Sequence, residues 1–522
     1  METDIPTPAF PSAKLPAMIS ALSMDSAPET REAVTHPKTP LHELDCILDP
    51  VYRLPSEILV DIFMFYSNSP STTDSDVEDE DTKSRALKCL ANAPLLKVSR
   101  VCARWHDIAM RTPGLWSTIK LDDILWAAPT HCDTAMLLLR SALERSSSCP
   151  LNLSITGTAD TVSVAPHSPA LELLAQHSTR WRTISFLCPF SHLRCFPVST
   201  RNLSQLENLC LYCWGEDEAA VPNIFQLVPR LKKLVWWGRM GTSSLVTKFP
   251  IEQLKELKYV EALGDQPLLS ITLFPRLPPT CHLTITLTPL DPDGALDLDN
   301  VFHMPPLTSS ISALTFEFDH WHLPPADLRR ALEDFVANLT LPWLTSLAFE
   351  VDDYPSSPLL WPHSQFLMLS ERSSFHSRLH SLYLYQTVIT ESEMRQTLSA
   401  LPTLEELSVS DQPLVLPGGM GHVLITNTLL AALTQTSHSP CLVPRLHRLG
   451  CQSMLQFDDN AYLECLLSRS HRFPSTDPFD CTLRWFPDHK RALDKTVFTR
   501  IQELCVQRNL VFEFLPAIYE KV

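Results

Sequence analysis

Glycine is scarce in this sequence, at 11 of 522 residues, whereas it makes up about 7 % of an average protein. The scarcity disfavours nucleotide-binding folds, because their phosphate-binding turns depend on glycine-rich motifs. The densest glycine cluster, at residues 418–422, lacks the following Lys and Ser or Thr of a phosphate-binding loop. We interpret that cluster as a turn.

The chain also lacks the linear motifs of common catalytic and metal sites. Its 19 histidines include no His-Glu-x-x-His, and the sequence contains no Gly-x-Ser-x-Gly. Cys210 and Cys213 form a lone Cys-x-x-Cys, without the second pair of a tetrahedral zinc site. We therefore predict a non-catalytic protein that uses no cofactor and no metal.

An excess of positive charge and long apolar runs are absent too. The chain has 42 Lys and Arg residues against 59 Asp and Glu residues, and the net charge of −17 repels the phosphates of nucleic acid. No charged residue lies between Asp411 and Arg445, but the apolar part of that stretch, residues 423–433, is far shorter than the about 20 residues that cross a bilayer. We predict no nucleic-acid partner and no membrane partner.

The N-terminus and the cysteines predict where the protein acts. The first residues show no basic start followed by an apolar run, which a secretory signal would need. The 15 cysteines have irregular spacing and fall in apolar stretches, which is typical of reduced thiols and not of a disulfide framework. We therefore expect a cytoplasmic or nuclear protein.

Changes in composition predict three parts of the chain. Residues 1–44 mix Pro, Ser, Thr and Ala with few large apolar side chains, so we expect a disordered arm. Apolar patterning begins near residue 45 and is interrupted at about residues 67–90 by an acidic insertion, with six carboxylates in residues 74–81. We interpret the insertion as a solvated loop.

Regulation of this loop by phosphorylation stays open as an alternative. Thr73 and Ser75 each have an acidic residue three positions on, a spacing that acid-directed kinases accept.

Two apolar stripes flank the acidic insertion and predict two amphipathic helices. The first stripe follows Pro55, a residue suited to a first helical turn, and consists of Ile58, Leu59, Ile62, Phe63 and Tyr66. The second stripe has the offsets 0, 3, 4, 7, 10 and 11 of one helical face and consists of Val98, Val101, Cys102, Trp105, Ile108 and Ala109. Pro113-Gly114 ends this second predicted helix.

Beyond about residue 150 the chain repeats the pattern Leu-x-x-Leu-x-Leu at irregular intervals. In a strand, the two residues of L-x-L point to one face, so each copy predicts a short strand with one buried side. Helical stretches at residues 327–339, 391–401 and 426–433 separate some copies, which predicts parallel strands backed by helices. The clear copies are Leu206-Leu209-Leu211, Leu231-Leu234-Trp236, Leu254-Leu257-Tyr259, Leu344-Leu347-Phe349, Leu379-Leu382-Leu384, Leu404-Leu407-Val409 and Leu446-Leu449-Cys451.

This pattern resembles leucine-rich repeats, with one departure. Such repeats usually place Asn or Cys three positions after L-x-L, and no clear copy here has either residue at that position. The residues found there are Trp214, Arg239, Ala262, Asp352, Thr387, Gln412 and Met454. We therefore predict an α/β fold whose main part, residues 123–515, is an irregular leucine-rich-repeat-like solenoid.

The region before the array resembles the F-box of fungal F-box-like proteins. The resemblance rests on RLPSEILVDIF at residues 53–63 and LLKVSRVCARWHDIAMRTPGLW at residues 95–116. It implies a small helical F-box at residues 45–122 that docks on a Skp-type linker protein and, through it, on a cullin. The docking residues it implies are Leu54, Pro55, Ile58, Leu59, Ile62, Val98, Val101, Cys102 and Trp105.

The resemblance also implies a function, the recognition of substrates for a ubiquitin ligase and for ubiquitin-dependent degradation. The repeats would hold an unknown target protein, through strand positions that alternate with the buried leucines: Cys210, Val235, Lys258, Thr315, Ala348, Tyr383, Ser408 and Gly450, with Trp214 and Trp237 at strand ends. Two alternatives stay open. The two helices could be an ordinary N-terminal cap of the array, and the array could be a protein-binding scaffold without any ligase.

Overall fold

A computed structural model shows the architecture of the protein. It describes residues 54–68, 94–121, 133–157, 169–189, 193, 203–214, 223–237, 248–263, 269–289, 305–318, 325–351, 359–412, 422–435, 441–471, 478–486, 491–507 and 510–516. The chain divides into two compact units, Met1–Leu59 and Val60–Val522. The predicted N-terminal arm lies outside the described residues, and so do residues 69–90 of the predicted acidic insertion, which include Thr73 and Ser75.

The described residues before the sheet form three helices. They are α1 (Ser56–Asn68), α2 (Pro94–Ser99) and α3 (Ala103–Arg111), and a 3₁₀ turn follows at Pro113–Trp116.

The prediction of one continuous helix after Leu95 is wrong. The chain becomes extended at Cys102, with φ −160° and ψ 168°, and α3 starts at the next residue. The Cys102 thiol accepts the Trp105 N–H at 3.5 Å, so it caps the new helix as Ser or Asn side chains usually do. Helix α3 ends at Thr112, because a residue before proline disfavours helical geometry.

Parallel strands dominate from Thr118 onwards. Within the described part of the chain, fourteen strands form one sheet in the order β1-β2-β3-β4-β5-β6-β7-β9-β11-β13-β15-β16-β17-β18, and all neighbours are parallel. The strands of this sheet are β1 (Thr118–Leu121), β2 (Leu151–Thr156), β3 (Trp181–Pro189), β4 (Asn208–Trp214), β5 (Lys233–Trp237), β6 (Glu256–Leu263), β7 (His282–Pro289), β9 (Ala313–Phe318), β11 (Ser346–Val351), β13 (Ser381–Leu384), β15 (Glu406–Ser410), β16 (Arg448–Ser453), β17 (Phe479–Trp485) and β18 (Leu510–Pro516).

Short strands and helices connect the strands of the sheet. Two two-stranded parallel sheets pair β8 (Leu307–Thr308) with β10 (Leu339–Thr340) and β12 (Leu359–Leu360) with β14 (Thr387–Val388). The helices are α4 (Asp133–Arg145), α5 (Pro169–Ala175), α6 (Leu269–Leu273), α7 (Pro325–Ala337), α8 (His363–Arg372), α9 (Phe375–Arg378), α10 (Glu391–Ser399), α11 (Asn427–Leu433), α12 (Asp459–Ser470) and α13 (Lys495–Val506). None of the helices in these described ranges is long and apolar enough to cross a membrane.

The predicted mixed α/β fold is confirmed, and its parallel strands form a solenoid-like arrangement. The middle leucine of one motif copy pairs with that of the next, as Leu209 pairs with Leu234 and Leu234 with Leu257. These side chains are buried in one continuous apolar core together with helix residues. Phe335 of α7, for example, packs edge-on against Phe316 of β9 with ring centroids 5.5 Å apart. The clear motif copies do not include β1, β2, β3, β7, β9, β17 or β18. In these strands Ile, Phe, Trp or Cys take some of the leucine positions. Their side chains are buried on the same face, except in β18, where Phe512 and Phe514 are half-buried.

Candidate functional site

Helix α1 divides its apolar side chains between the protein core and solvent. Leu59 and Phe63 are buried, and the Phe63 ring lies 5.0 Å from the Trp105 ring of α3. Ile58 and Ile62 are 45 % and 44 % exposed, and Phe65 is 79 % exposed. Part of the apolar stripe predicted for this helix is therefore left uncovered by the described residues of the chain.

The α2–α3 region exposes one further apolar side chain at its turn. Val98 of α2 is buried, whereas Val101, between the two helices, is 58 % exposed. Trp116 anchors the region, because its indole N–H donates to the Ala109 carbonyl at 2.8 Å and the Arg145 guanidinium lies 4.6 Å from the centre of its ring. The exposed position of Val101 thus belongs to a well-packed local structure.

The nine predicted docking residues differ in how accessible they are. Pro55, Ile58, Ile62 and Val101 are exposed, Leu54, Cys102 and Trp105 are half-buried, and Leu59 and Val98 are buried. A partner could therefore reach the first seven, whereas Leu59 and Val98 are not accessible to it. That these residues bind a partner stays a prediction.

Sequence reasoning missed Phe65, one of the most exposed large apolar side chains of the described residues. Its signal was present in the sequence, because positions 58, 62 and 65 have the offsets 0, 4 and 7 of a second helical stripe. The predicted stripe included Ile58 and Ile62 but combined them with Leu59 and Phe63, which are buried, and it left out Phe65.

Residues 51–122 match the family whose description is F-box-like. This segment is therefore similar to an F-box-like domain, as the resemblance predicted, and the match contains all nine predicted docking residues. It includes α1, α2, α3, the 3₁₀ turn and also β1, the first strand of the large sheet. No match was found among curated proteins. The predicted domain limits at residues 44 and 122 stay predictions.

The face of the sheet opposite the core is the second candidate surface, which we call the open face. The eight strand positions predicted to bind a target lie in one row, because the strand register aligns them from Cys210 and Val235 to Ser408 and Gly450. They were expected to be exposed, but Val235, Thr315 and Ala348 are buried and the others are half-buried. Parallel strands lie only about 4.8 Å apart, so neighbouring side chains on the same face cover the smaller ones.

Charged groups on the open face are mostly paired with each other. Lys258 forms an ion pair with Glu317, and Arg448 pairs with both Glu406 and Asp480. These pairs join different strands of the sheet, so they stabilise its register as well as neutralise its charge.

Neither cysteine of the Cys210-x-x-Cys213 pair lies in an environment that favours reactivity. Burial raises the pKa of the Cys210 thiol, whereas a reactive cysteine needs a lowered pKa. Cys213 is buried on the core side of β4.

Among the described residues, no group of three or more His, Cys, Asp and Glu side chains could hold a metal ion.

Proposed function

We propose that this protein is the substrate-recognition adaptor of a Skp-cullin-F-box type ubiquitin ligase in the cytoplasm or the nucleus. In this proposal the F-box-like domain docks on a Skp-type linker protein, which connects it to a cullin. The parallel-strand array holds the protein to be ubiquitylated, and the ligase subunits perform the chemistry.

The observation that carries the proposal is the F-box-like match over residues 51–122, together with the apolar side chains that this segment leaves exposed. Fully burying one exposed side chain of this kind contributes about 1.5–3 kcal/mol. Ile58, Ile62, Phe65 and Val101 are between 44 % and 79 % exposed, so covering the part that remains exposed could supply about 3–7 kcal/mol in total. Association costs about 4–15 kcal/mol. The partner must therefore also cover half-buried groups such as Trp105 to form a stable complex.

Charged substitutions at exposed positions test the proposal. Ile62→Glu and Val101→Glu place a carboxylate where the partner would bury an apolar side chain, so each variant should lose at least about 90 % of the Skp-type adaptor captured by the full-length chain, as expected for a cost above about 1.4 kcal/mol. The readout is a pull-down with purified adaptor. Leu59→Glu is unsuitable, because Leu59 is buried and its variant would disturb folding.

Val506→Glu is the matched control, since Val506 is an exposed valine of α13, far along the chain from the F-box-like match. It should bind the adaptor as wild type does, and all three variants should keep the wild-type circular dichroism spectrum. If both Ile62→Glu and Val101→Glu bind normally, the ligase proposal is wrong. The function left is then a repeat scaffold that binds proteins without recruiting a ligase.

A further inference from the structure

The open face contains a pocket where β13, β15, β16 and β17 lie side by side. Its volume is about 180 Å³. The space exists because Gly450 interrupts the row of side chains, and a Cβ added there would collide with the Ser408 side chain on the neighbouring strand. Pockets for whole cofactors or drug-sized ligands measure about 300–1,000 Å³. This pocket is therefore large enough for one amino-acid side chain and too small for such a ligand.

Two tyrosine rings form one side of the pocket, and the carboxylate beside them is neutralised by an arginine. Tyr383 and Tyr385 line it from β13 and the residue after that strand. The Tyr383 hydroxyl donates to Glu406 at 2.5 Å, and burial together with this carboxylate raises the pKa of Tyr383 to about 12, so the hydroxyl keeps its proton. Glu406 also pairs with Arg448, which in turn pairs with Asp480. The charges of Glu406, Arg448 and Asp480 are therefore paired with one another.

Three hydrogen-bond donors line the pocket without an acceptor among the described residues. The Tyr385 hydroxyl accepts from Ser408 at 3.1 Å, which leaves its own proton available. The Gln452 side chain accepts from Ser410, and its amide N–H groups have no acceptor within the described ranges. Arg484 is exposed, and no carboxylate of the described residues pairs with it. The lining thus holds two guanidinium groups and one carboxylate.

We propose that this pocket binds a carboxylate side chain of the target protein. The carboxylate would accept from Arg484, Gln452 and Tyr385, and the methylene groups behind it would pack against the rings of Tyr383 and Tyr385. A charged acceptor suits these donors better than a neutral one, because a hydrogen bond in which the donor or the acceptor is ionised is about twice as strong as one between neutral groups. The neutral donors Gln452 and Tyr385 gain this advantage only from an ionised acceptor. The inference rests on the proposed function only in calling the bound protein a ubiquitylation target.

Peptide libraries test the proposal with the full-length protein. Each library contains nine-residue peptides with random Ala, Leu, Ser and Thr around a fixed central residue, which is Glu, Gln, phosphoserine or Lys. Fluorescence polarisation should give a Kd about tenfold lower for the central-Glu library than for the central-Gln library. Arg484→Gln should reduce this ratio to within about twofold, and Tyr385→Phe should reduce it partially, because only one donor is lost.

Arg500→Gln is the matched control, since Arg500 lies on α13, does not line the pocket and loses the same charge. It should keep the tenfold preference. Equal binding of Glu and Gln, or a preference for Lys, would refute the pocket, and tighter binding of phosphoserine than of Glu would refute a carboxylate as its ligand. Adaptor binding is measured on the same preparations, so a chain that captures the adaptor but shows no preference for Glu overturns the pocket alone.

Discussion

At the scale of single residues, Asp411 accepts backbone and side-chain hydrogen bonds from two segments that lie beside the end of β15. It directly follows β15 and is fully buried. One carboxylate oxygen accepts the N–H groups of Leu424 and Ile425, both at 2.8 Å. The other accepts the Ser453 hydroxyl at 2.8 Å and the Met454 N–H at 2.9 Å. Burial raises the pKa of this carboxyl, although its four hydrogen bonds oppose the shift.

We predict that Asp411→Asn destabilises this part of the array by about 1–3 kcal/mol, the cost of leaving a buried donor unsatisfied. In either orientation, the new amide NH₂ faces at least one backbone N–H that the carboxylate had accepted. Amide hydrogen exchange at Leu424 and Ile425 measures the change as faster local opening.

Asp494→Asn provides the control for Asp411→Asn. Asp494 caps α13 by accepting the Thr496 and Val497 N–H groups, and Asn caps a helix nearly as well as Asp. Exchange in α13 should therefore change little. Unchanged exchange at Leu424 and Ile425 in Asp411→Asn would show that the carboxylate does not hold this segment.

At the scale of elements, the helices begin and end where side chains satisfy their free backbone groups. Helix α10 has a capping box, in which the Thr390 hydroxyl accepts the Glu393 N–H and the Glu393 carboxylate accepts the Thr390 N–H. Helix α3 uses the Cys102 thiol in a similar way. Such contacts set helix boundaries that apolar spacing alone does not reveal, as the break between α2 and α3 shows.

We predict that Thr390→Ala destabilises α10 by about 1 kcal/mol, because the Glu393 N–H loses its acceptor. The measurement is the exchange rate of amides in the first turn of α10. Thr499→Ala makes the same chemical change inside α13, where the hydroxyl donates to the Lys495 carbonyl, and should leave stability nearly unchanged. Equal effects of the two substitutions would argue against a role for the cap.

At the scale of the whole molecule, each strand of the large sheet pairs only with strands that are near it in the sequence order. Stability in such an array is close to a sum of terms between neighbouring units. A change at one end should therefore affect its neighbours and leave distant strands unaffected.

We predict that a chain ending at Gln507, which lacks β18, loses amide protection in β17 and α13 and keeps it in β2 to β5. The reason is that β18 pairs with β17 alone within the described sheet, and its ring at Phe514 stacks on Trp485 with centroids 4.2 Å apart. Hydrogen exchange with mass spectrometry measures this along the chain. Loss of protection spread evenly over all strands would contradict a nearest-neighbour array.

Much of the fold could be predicted from local patterns. The alternation of apolar residues placed the buried face of β4, β5, β6, β11, β13, β15 and β16, because the two faces of a strand are set by its own backbone geometry. The Leu-x-x-Leu-x-Leu pattern did not predict β17, because Phe479, Cys481 and Leu483 occupy its buried positions. Burial requires apolar side chains at alternating positions and does not require leucine.

The sequence by itself determined the parallel-strand array and the F-box-like segment, because strand alternation and a motif in fixed order are properties of short stretches of chain. Only the tertiary structure decided which apolar residues remain accessible. Leu59 and Ile62 have similar chemistry and belong to one helix, yet one is buried and the other is exposed. The pocket beside Gly450 likewise depends on residues that the register brings together from four strands. The exposed fraction of a side chain, and the meeting of residues from several strands in one pocket, depend on contacts between segments that are distant in the sequence. A local pattern does not contain those contacts.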